Sequence, residues 1–264
     1  MKVEGNPHKS LCKTHYLEKL KEIKMELQKV RILNKPVHIV NIEQAVQYLK
    51  QQTEQGNKQF VIAQNPEKIM KALEDQELSS IIEDKATLLI ADGIGLVIAG
   101  KLLSLPPIPR VTGVGLFEEI LKTADQERKS IFLYGAKPEV VAKAGEVIQD
   151  KYPNLVLAGT QDGYEQDIDV IINKIQNVKS DYLFVALGSP RQEKWIATYL
   201  DKLPVQLVMG VGGSLDVLTG QVKRAPVWMQ KTGLEWFHRL ITQPTRAKRM
   251  LNLPKFLLKV IRSR

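Results

Sequence analysis

The chain has 264 residues, with 38 Lys and Arg against 29 Asp and Glu, and a formal net charge of +9. Hydrophobic residues make up 44% and charged residues 25%, which excludes a disordered chain and a collagen-like fibre. The single cysteine, Cys12, excludes an intrachain disulfide framework and a zinc site built from several cysteines.

The positive charge lies at the two ends of the chain. Residues 1–35 hold nine basic and four acidic residues, residues 36–220 hold 18 and 24, and residues 221–264 hold 11 and one. We therefore divide the chain into a basic N-terminal part over 1–35, a core over 36–220 and a basic appendage over 221–264. An anionic partner is expected at the appendage and not across the core.

The first predicted element is an amphipathic helix over residues 7–30, followed by a linker at 34–36, where Pro36 ends the helical pattern. The first 16 residues contain no apolar stretch, so we expect no secretory leader. Five apolar side chains of the helix recur at helical spacing among Lys and Glu: Leu17, Leu20, Ile23, Leu27 and Val30.

The core alternates short apolar runs with helical stretches. The runs are nearly continuous, which is typical of strands buried on both faces. The predicted strands are 60–63, 87–91, 130–134, 155–158, 182–187 and 206–210. The predicted helices are 66–73, 95–103, 116–124, 138–150, 166–177 and 191–201. This alternation predicts an α/β fold with a Rossmann-like, mainly parallel sheet flanked by crossover helices.

After Gly220 the strand pattern stops, and short helices punctuated by Pro and Gly follow. Their predicted ranges are 226–231, 234–242, 244–250 and 254–262. Basic helices with Trp, Phe and Leu faces are typical of contact with an anionic membrane surface. Packing of those faces on the core is the alternative. RNA binding is less favoured, because no base-stacking motif accompanies the charge.

Ligands of a parallel α/β sheet bind beyond the carboxyl ends of its strands. Five of the six predicted strand ends have glycine close by, which favours the approach of backbone N–H groups to a phosphate. Ordinary turn chemistry is the alternative explanation of these glycines. The sequence contains neither a Walker A loop nor a complete dinucleotide fingerprint.

Asp92 directly follows the apolar run 88–91, which predicts a carboxylate at the mouth of the sheet with apolar surroundings. Such surroundings raise the proton affinity of a carboxylate and suit it to act as a general base. An N-cap for the next helix is the alternative. We expect no metal site: the four His are scattered, and the Asp167-Ile-Asp169 pair is a weak candidate.

Seven segments, in order, resemble one protein family. They are 63–67 (AQNPE), 91–95 (ADGIG), 132–136 (FLYGA), 184–194 (FVALGSPRQEK), 210–216 (GVGGSLD), 222–228 (VKRAPVW) and 233–239 (GLEWFHR). From about residue 37 to the C-terminus the chain resembles the WecG/TagA/CpsF glycosyltransferases, glycosyltransferase family 26. The likeness is greatest to the branch that makes the linkage unit of wall teichoic acid in Gram-positive bacteria.

The resemblance implies an inverting, metal-independent transfer of N-acetylmannosamine from UDP-ManNAc to the 4-hydroxyl of GlcNAc on undecaprenyl diphosphate. UDP-ManNAc uronate or another UDP-hexose stays open as the donor, with Lys137 or Arg191 as the cation that a carboxylated sugar would need. A non-catalytic basic protein that binds membranes or nucleic acid is a further alternative.

The expected partners are the UDP-sugar, the lipid-linked GlcNAc-diphosphate acceptor and an anionic membrane surface, with no cofactor and no nucleic acid. The implied location is cytoplasmic, peripheral on the inner face of the plasma membrane. The N-terminal helix is a candidate contact with the membrane or with a second copy of the chain.

By the same resemblance, Asp92 is the general base and Gln192 an active-site residue. Three arginines of the appendage would neutralise the UDP diphosphate in place of a metal: Arg239, Arg246 and Arg249. The substrate-binding residues expected from the strand ends and the family motifs are Ala63, Asn65, Thr112, Gly113, Gly135, Gly188, Arg191, Gly212 and Arg224. Two positions depart from the family, because related sequences often have Thr in place of Ala63 and Asp in place of Gly115.

Overall fold

The computed structural model describes residues 25–242 and 252–263. Its first element is an antiparallel hairpin of β1 (Lys29–Ile32) and β2 (Lys35–His38). Both residues between the strands have positive φ, 49° at Leu33 and 61° at Asn34, as a tight hairpin turn requires. The predicted helix over 7–30 lies mostly outside the described residues, and its last two residues belong to β1. A boundary between residues 35 and 36 would cut the hairpin, so the predicted linker there is wrong.

Six parallel strands form the central sheet. They are β3 (Gln59–Gln64), β4 (Leu88–Ala91), β5 (Ser130–Gly135), β6 (Val156–Gln161), β7 (Tyr182–Ala186) and β8 (Leu207–Gly210). Their order is β4-β3-β8-β7-β5-β6, and every neighbouring pair is parallel. The six predicted strands and the predicted α/β class are therefore confirmed.

Nine helices accompany the core in the described part of the chain. They are α1 (Ile42–Glu54), α2 (Pro66–Ala72), α3 (Gln76–Ser80), α4 (Ile94–Leu102), α5 (Gly113–Gln126), α6 (Pro138–Lys151), α7 (Ile168–Val178), α8 (Arg191–Tyr199) and α9 (Ser214–Leu218). A π-helical turn, Ile81–Lys85, follows α3, and a 3₁₀ turn, Leu200–Lys202, follows α8. The six predicted core helices are confirmed, whereas α1, α3 and α9 were missed. The reciprocal cap between Asn41 and Gln44 was an available sequence signal for α1.

Alternate residues of one strand belong to different hydrophobic clusters. In β3, Val61 and Ala63 belong to a cluster with α1, α5 and α6, whereas Phe60 and Ile62 belong to one with α3, α7 and α8. Burial on both faces explains why the strands appear as continuous apolar runs. Because all six strands run in the same direction, the carboxyl ends of β3, β4, β7 and β8 lie along one edge of the sheet.

Three helices of the appendage are described: α10 (Val227–Lys231), α11 (Glu235–Thr242) and α12 (Asn252–Arg262). The inner face of α12 packs on the core, where Phe256 and Val260 are fully buried beside Ile69 and Leu96. The alternative prediction, that the apolar faces of the appendage pack on the core, is therefore correct for the inner face of α12. The predicted helix over 244–250 lies outside the described residues. Within the described ranges, no helix is long and apolar enough to cross a membrane.

Candidate active site

A cavity of about 360 Å³ lies at the carboxyl ends of β3, β4, β7 and β8. Residues at or next to the N-termini of α2, α4, α5, α8 and α9 line its wall. Three of these helices, α4, α5 and α8, have nine residues or more. Helix N-termini carry unpaired N–H groups and partial positive charge, so the cavity suits an anionic ligand such as a phosphate.

The described charged side chains of the wall balance each other. They are Lys68, Lys71 and Arg110 against Glu67, Asp92 and Glu235. A nucleoside diphosphate would bring several negative charges into this neutral wall, so further cations would strengthen its binding. The appendage arginines predicted for that task are not described as side chains: Arg246 and Arg249 lie outside the described residues, and the side chain of Arg239 in α11 is not described.

Asp92 lies at the cavity, one residue beyond β4, and is partly buried. Its backbone N–H donates to the carbonyl oxygen of Gln64 at 2.7 Å, which fixes the backbone at the sheet edge. The N-cap of α4 is Gly93, with φ of 92°, and not Asp92. A Cβ on Gly113 would lie 3.7 Å from Asp92 Oδ2 and 3.2 Å from the Cβ of Ala63. These three residues therefore meet closely at one side of the cavity.

Gln192 lies across the end of β8. Its Oε1 accepts a hydrogen bond from the N–H of Gly212, and its Nε2 donates to Glu193 Oε1, both at 3.1 Å. A Cβ on Gly210 would lie 2.4 Å from Gln192 Nε2, so the glycine makes room for the amide. Gln192 is 3% exposed and lines the cavity. The amide is thus held in one place at the sheet edge.

Glu193, a residue that the sequence analysis missed, forms a buried ion pair with Lys68 behind the cavity. Lys68 Nζ lies 2.7 Å from Glu193 Oε1, and the two side chains are 5% and 1% exposed. Burial raises the pKa of the Glu193 carboxyl, but the charge and hydrogen bond of Lys68 outweigh it, so this pKa lies below its usual range. Glu193 is therefore ionised at neutral pH.

Two more predicted substrate-binding residues cap helices at the cavity. Asn65 Oδ1 accepts from the N–H of Lys68 at 2.8 Å, and Thr112 Oγ1 accepts from the N–H of Gly115 at 3.1 Å. Gly188 also lines the cavity, and its φ of 76° favours glycine. The cavity wall thus includes Asp92, Gln192, Ala63, Asn65, Thr112, Gly113, Gly188 and Gly212.

Three predicted substrate-binding residues lie elsewhere. Gly135 has a φ of 107°, and a Cβ there would lie 2.6 Å from the backbone of Ala186, so it permits the close approach of two strands. The side chain of Arg191 is exposed, and Arg224 pairs with Glu118 at 3.2 Å. None of the three belongs to the cavity wall in the described part of the chain.

Arg110 is a cavity residue that the sequence analysis missed. It lies in the loop between α4 and α5, and its Nη2 pairs with Glu235 Oε2 of α11 at 2.6 Å. Glu235 and Trp236 also line the cavity, so the start of α11 closes part of the wall. A single arginine in a loop rich in proline gives no local signal of this position.

A metal site was not expected. Within 25–242 and 252–263, no group of three or more His, Cys, Asp or Glu side chains is placed to hold a metal ion. Asp167, the first residue of the D-x-D pair, caps α7 by accepting from the N–H groups of Asp169 and Val170 at 3.0 and 3.3 Å.

Comparison with known proteins identifies relatives along most of the chain. The sequence profile of the glycosyl transferase WecG/TagA/CpsF family matches residues 30–264. A protein of Bacillus subtilis strain 168 is 38% identical over 237 residues, covering 89% of this chain and 92% of the relative. One of Bacillus spizizenii is 37% identical, covering 79% and 81%, and one of Staphylococcus aureus strain NCTC 8325 is 35% identical, covering 79% and 82%. All three are named N-acetylglucosaminyldiphosphoundecaprenol N-acetyl-beta-D-mannosaminyltransferase.

Proposed function

Because the chain belongs to the WecG/TagA/CpsF family of glycosyltransferases, we propose that it transfers N-acetylmannosamine from UDP-ManNAc to GlcNAc-diphosphoundecaprenol. The product would carry a β-1,4 link and serve teichoic acid or a related cell-surface polysaccharide. The observation that supports this proposal best is the cavity itself, in which the Asp92 carboxylate stands among the N-termini of α2, α4, α5, α8 and α9. That arrangement combines a base with a binding site for a nucleotide diphosphate.

In the proposed reaction, the Asp92 carboxylate takes the proton of the acceptor 4-hydroxyl as its oxygen attacks C1 of the donor sugar. The new C1–O bond forms on the face opposite the diphosphate, while the bond from C1 to the phosphate oxygen breaks. UDP leaves with the bonding electron pair, and the configuration at C1 inverts. A single displacement of this kind needs one base and one stabilised leaving group.

Negative charge builds on the UDP diphosphate as the bond to C1 breaks. The helix N-termini and Arg110 of the described wall would stabilise it, together with Arg239, Arg246 and Arg249 of the appendage. Arginine suits this task because its forked donors match phosphate oxygens. The transfer therefore needs no metal ion, and EDTA should leave the rate unchanged. Strong inhibition by EDTA that Mn²⁺ reverses would contradict this part of the proposal.

The acceptor is a membrane lipid, so the enzyme would work at a membrane surface, as a peripheral protein on the cytoplasmic side. Trp228 in α10 and Phe237 and Ile241 in α11 are 61%, 43% and 65% exposed. They lie on the appendage helices next to Glu235 and Trp236, which line the cavity. Exposed aromatic and aliphatic side chains on basic helices suit the headgroup region of an anionic bilayer.

UDP-ManNAc uronate or another UDP-hexose is the second candidate donor. A carboxylated sugar would need a cation in the pocket, and Lys137 and Arg191, the residues considered for it, do not line the cavity in the described part of the chain. Lys71 does line it and is exposed there. Lys71 is therefore the candidate cation for such a donor, since Lys68 and Arg110 of the wall pair with Glu193 and Glu235.

The donor is tested by incubating the protein with GlcNAc-diphospho-lipid and, in separate reactions, UDP-ManNAc, UDP-ManNAc uronate, UDP-GlcNAc and UDP-glucose. We expect UDP-ManNAc to give the highest kcat/KM, with a disaccharide lipid as the product. Faster transfer from the uronate would establish the alternative donor. No transfer from any of the four would contradict the proposed function.

A further inference from the structure

A contribution to stability does not by itself explain why Lys68 and Glu193 form a buried ion pair. Both charged groups are almost fully buried, and their closest atoms are 2.7 Å apart. Removing two charges from water costs several kcal/mol per ion, and apolar residues of similar volume are often as stable or more stable. The carboxylate of this pair also contacts a residue of the cavity wall.

The same carboxylate oxygen that pairs with Lys68 also holds Gln192. Glu193 Oε1 accepts from Lys68 Nζ at 2.7 Å and from Gln192 Nε2 at 3.1 Å. An ionised carboxylate can only accept hydrogen bonds, so only the nitrogen end of the amide can face it. At the other end, the N–H of Gly212 can only donate, and it faces Gln192 Oε1 at 3.1 Å.

The geometry points to Glu193 as a positioning residue, held ionised by Lys68, that sets the orientation of the Gln192 amide in the active site. The amide then offers its remaining N–H and its remaining lone pair to the substrates in one fixed arrangement. This inference rests on the proposed function, because Gln192 lines the cavity in which the UDP-sugar would bind. Glu193 acts through Gln192 and does not itself line the cavity wall in the described residues.

Several other charged groups around α8 pair with each other, and Arg191 on α8 and Lys71 on α2 are exposed. On the neighbouring helix α3 and its N-cap, Glu77 and Asp75 pair with Lys194 at 2.6 and 2.9 Å. In the π-helical turn, Glu83 pairs with Arg31 at 2.9 Å. Within the described ranges, Lys68 on α2 is therefore the cation that keeps Glu193 ionised. Its removal would leave a buried carboxylate without a paired charge.

The central test is Lys68→Met. Without the cation, burial raises the pKa of Glu193, so the carboxyl takes up a proton at a higher pH than in the wild type and becomes a donor. A protonated carboxyl offers an O–H donor as well as a carbonyl acceptor, so it can face either end of the Gln192 amide. The amide then loses its fixed orientation. We expect kcat to fall about 10- to 100-fold at the acidic end of the pH range, as for other misplaced groups, with KM for the UDP-sugar changed by less than about threefold. Because the ionised form is the active one, the rate should recover as the pH is raised, more steeply than in the wild type.

Two variants complete the test. Glu193→Gln removes the ionisable group, so its kcat should be low at every pH, without recovery at high pH. Lys194→Met is the matched control. Lys194 lies on α8 beside Glu193, and its ion pairs with Asp75 and Glu77 are more exposed than the pair of Lys68 and Glu193. The pH profile of this variant should therefore equal that of the wild type. A Lys68→Met profile parallel to the wild-type profile would overturn the inference.

Should Lys68→Met not fold, the double variant Lys68→Met/Glu193→Gln decides, because it leaves no buried charge at this position. Slow turnover with unchanged UDP-sugar KM supports the positioning role, and wild-type turnover overturns it. The side-chain amide signal of Gln192 in ¹⁵N NMR gives a readout that needs no transfer. Slow hydrogen exchange of this NH₂ in the wild type, lost in Glu193→Gln, supports the inference even if no UDP-sugar is transferred. Equal exchange in both proteins overturns it.

Discussion

Arg110 Nη2 and Glu235 Oε2 lie 2.6 Å apart, and this ion pair joins the loop before α5 to the first turn of α11. Glu235 is only 6% exposed. Next to it, Gly233 packs so closely on α4 that a Cβ would lie 2.9 Å from Ile94 Cγ1. These two contacts hold the appendage at the cavity. Ile94, which Gly233 contacts, is two residues after Asp92 in the sequence.

We expect Glu235→Gln to lower kcat/KM for the UDP-sugar about 10- to 100-fold, because a charge-assisted hydrogen bond contributes about 1.5–3 kcal/mol. The neutral amide would hold Arg110 and the start of α11 less firmly. Steady-state kinetics measures the effect. Glu146→Gln is the control, because its ion pair with Lys143 is an exposed contact within α6. Equal kinetics in both variants would argue against a role of the Arg110 pair in catalysis.

Asp92→Asn tests the general base. The amide keeps the shape of the side chain but cannot take the proton of the acceptor, so kcat should fall about 10²- to 10⁴-fold. Calorimetric titration with UDP should give an affinity within about threefold of the wild type. Asp162→Asn, beyond the end of β6 and away from the cavity wall, should leave both values unchanged. Near-normal turnover of Asp92→Asn would exclude this carboxylate as the base.

Gly210→Ala tests whether the amide of Gln192 must lie across the end of β8. The added Cβ would meet Gln192 Nε2 at 2.4 Å and displace the amide from its bond to Gly212. We expect about a 100-fold loss of kcat, as is typical of a displacement near 1 Å. Gly220→Ala also introduces strain, since φ there is 75°, but its Cβ meets no other atom within 4 Å. It should lower the melting temperature without changing kcat.

His38 predicts a dependence of stability on pH. Burial, together with the charge of Lys29, lowers the pKa of His38 to about 4, and its Nδ1 accepts from the N–H of Leu89 at 2.9 Å. Between pH 6.5 and 4 the unfolded chain binds this proton and the folded protein does not. The free energy of unfolding should therefore fall with falling pH, by about 3 kcal/mol over that window. Urea unfolding at several pH values measures the slope, and His38→Gln should show a shallower one.

The exposed apolar side chains of the appendage predict membrane binding. Trp228→Ser combined with Ile241→Ser should weaken binding to liposomes that contain phosphatidylglycerol at least tenfold, because both side chains lose apolar contact with the bilayer. Turnover of a short-chain acceptor in solution should stay within about threefold. Unchanged liposome sedimentation would count against this surface as the membrane contact.

Deletion of residues 221–264 would be a less specific test of the same idea. It would remove Phe256 and Val260 from the core they share with Ile69 and Leu96, and Phe256→Ala alone is expected to cost about 3–5 kcal/mol. Loss of activity after the deletion would then reflect unfolding as much as a lost membrane contact. Leu258→Ala, at a side chain that is 56% exposed, is the control for Phe256→Ala and should cost far less.

Local patterns were sufficient for most of the fold. A strand buried on both faces must be apolar throughout, and a residue directly after such a strand must lie at the sheet edge, which is how Asp92 was found. Gln192, in the first turn of α8, was expected only from the resemblance to the family. The hairpin of β1 and β2 was missed, because its strands have four residues each and Pro36 suggested a linker. Gly135 was assigned to the ligand because glycine after a strand serves both a phosphate and a close strand contact, and the sequence does not distinguish them.

The amino-acid pattern was enough to predict the sheet, the sheet edge at which the cavity lies and the concentration of positive charge in the appendage. Which charges lie together at that edge became known from the folded arrangement alone. The pairs Lys68–Glu193 and Arg110–Glu235 each join residues 125 positions apart. Such pairs depend on how distant helices and loops pack, and neither helical periodicity nor strand burial constrains that packing locally. For the same reason, the sequence did not show that the inner face of α12 is buried in the core whereas apolar side chains of α10 and α11 are exposed.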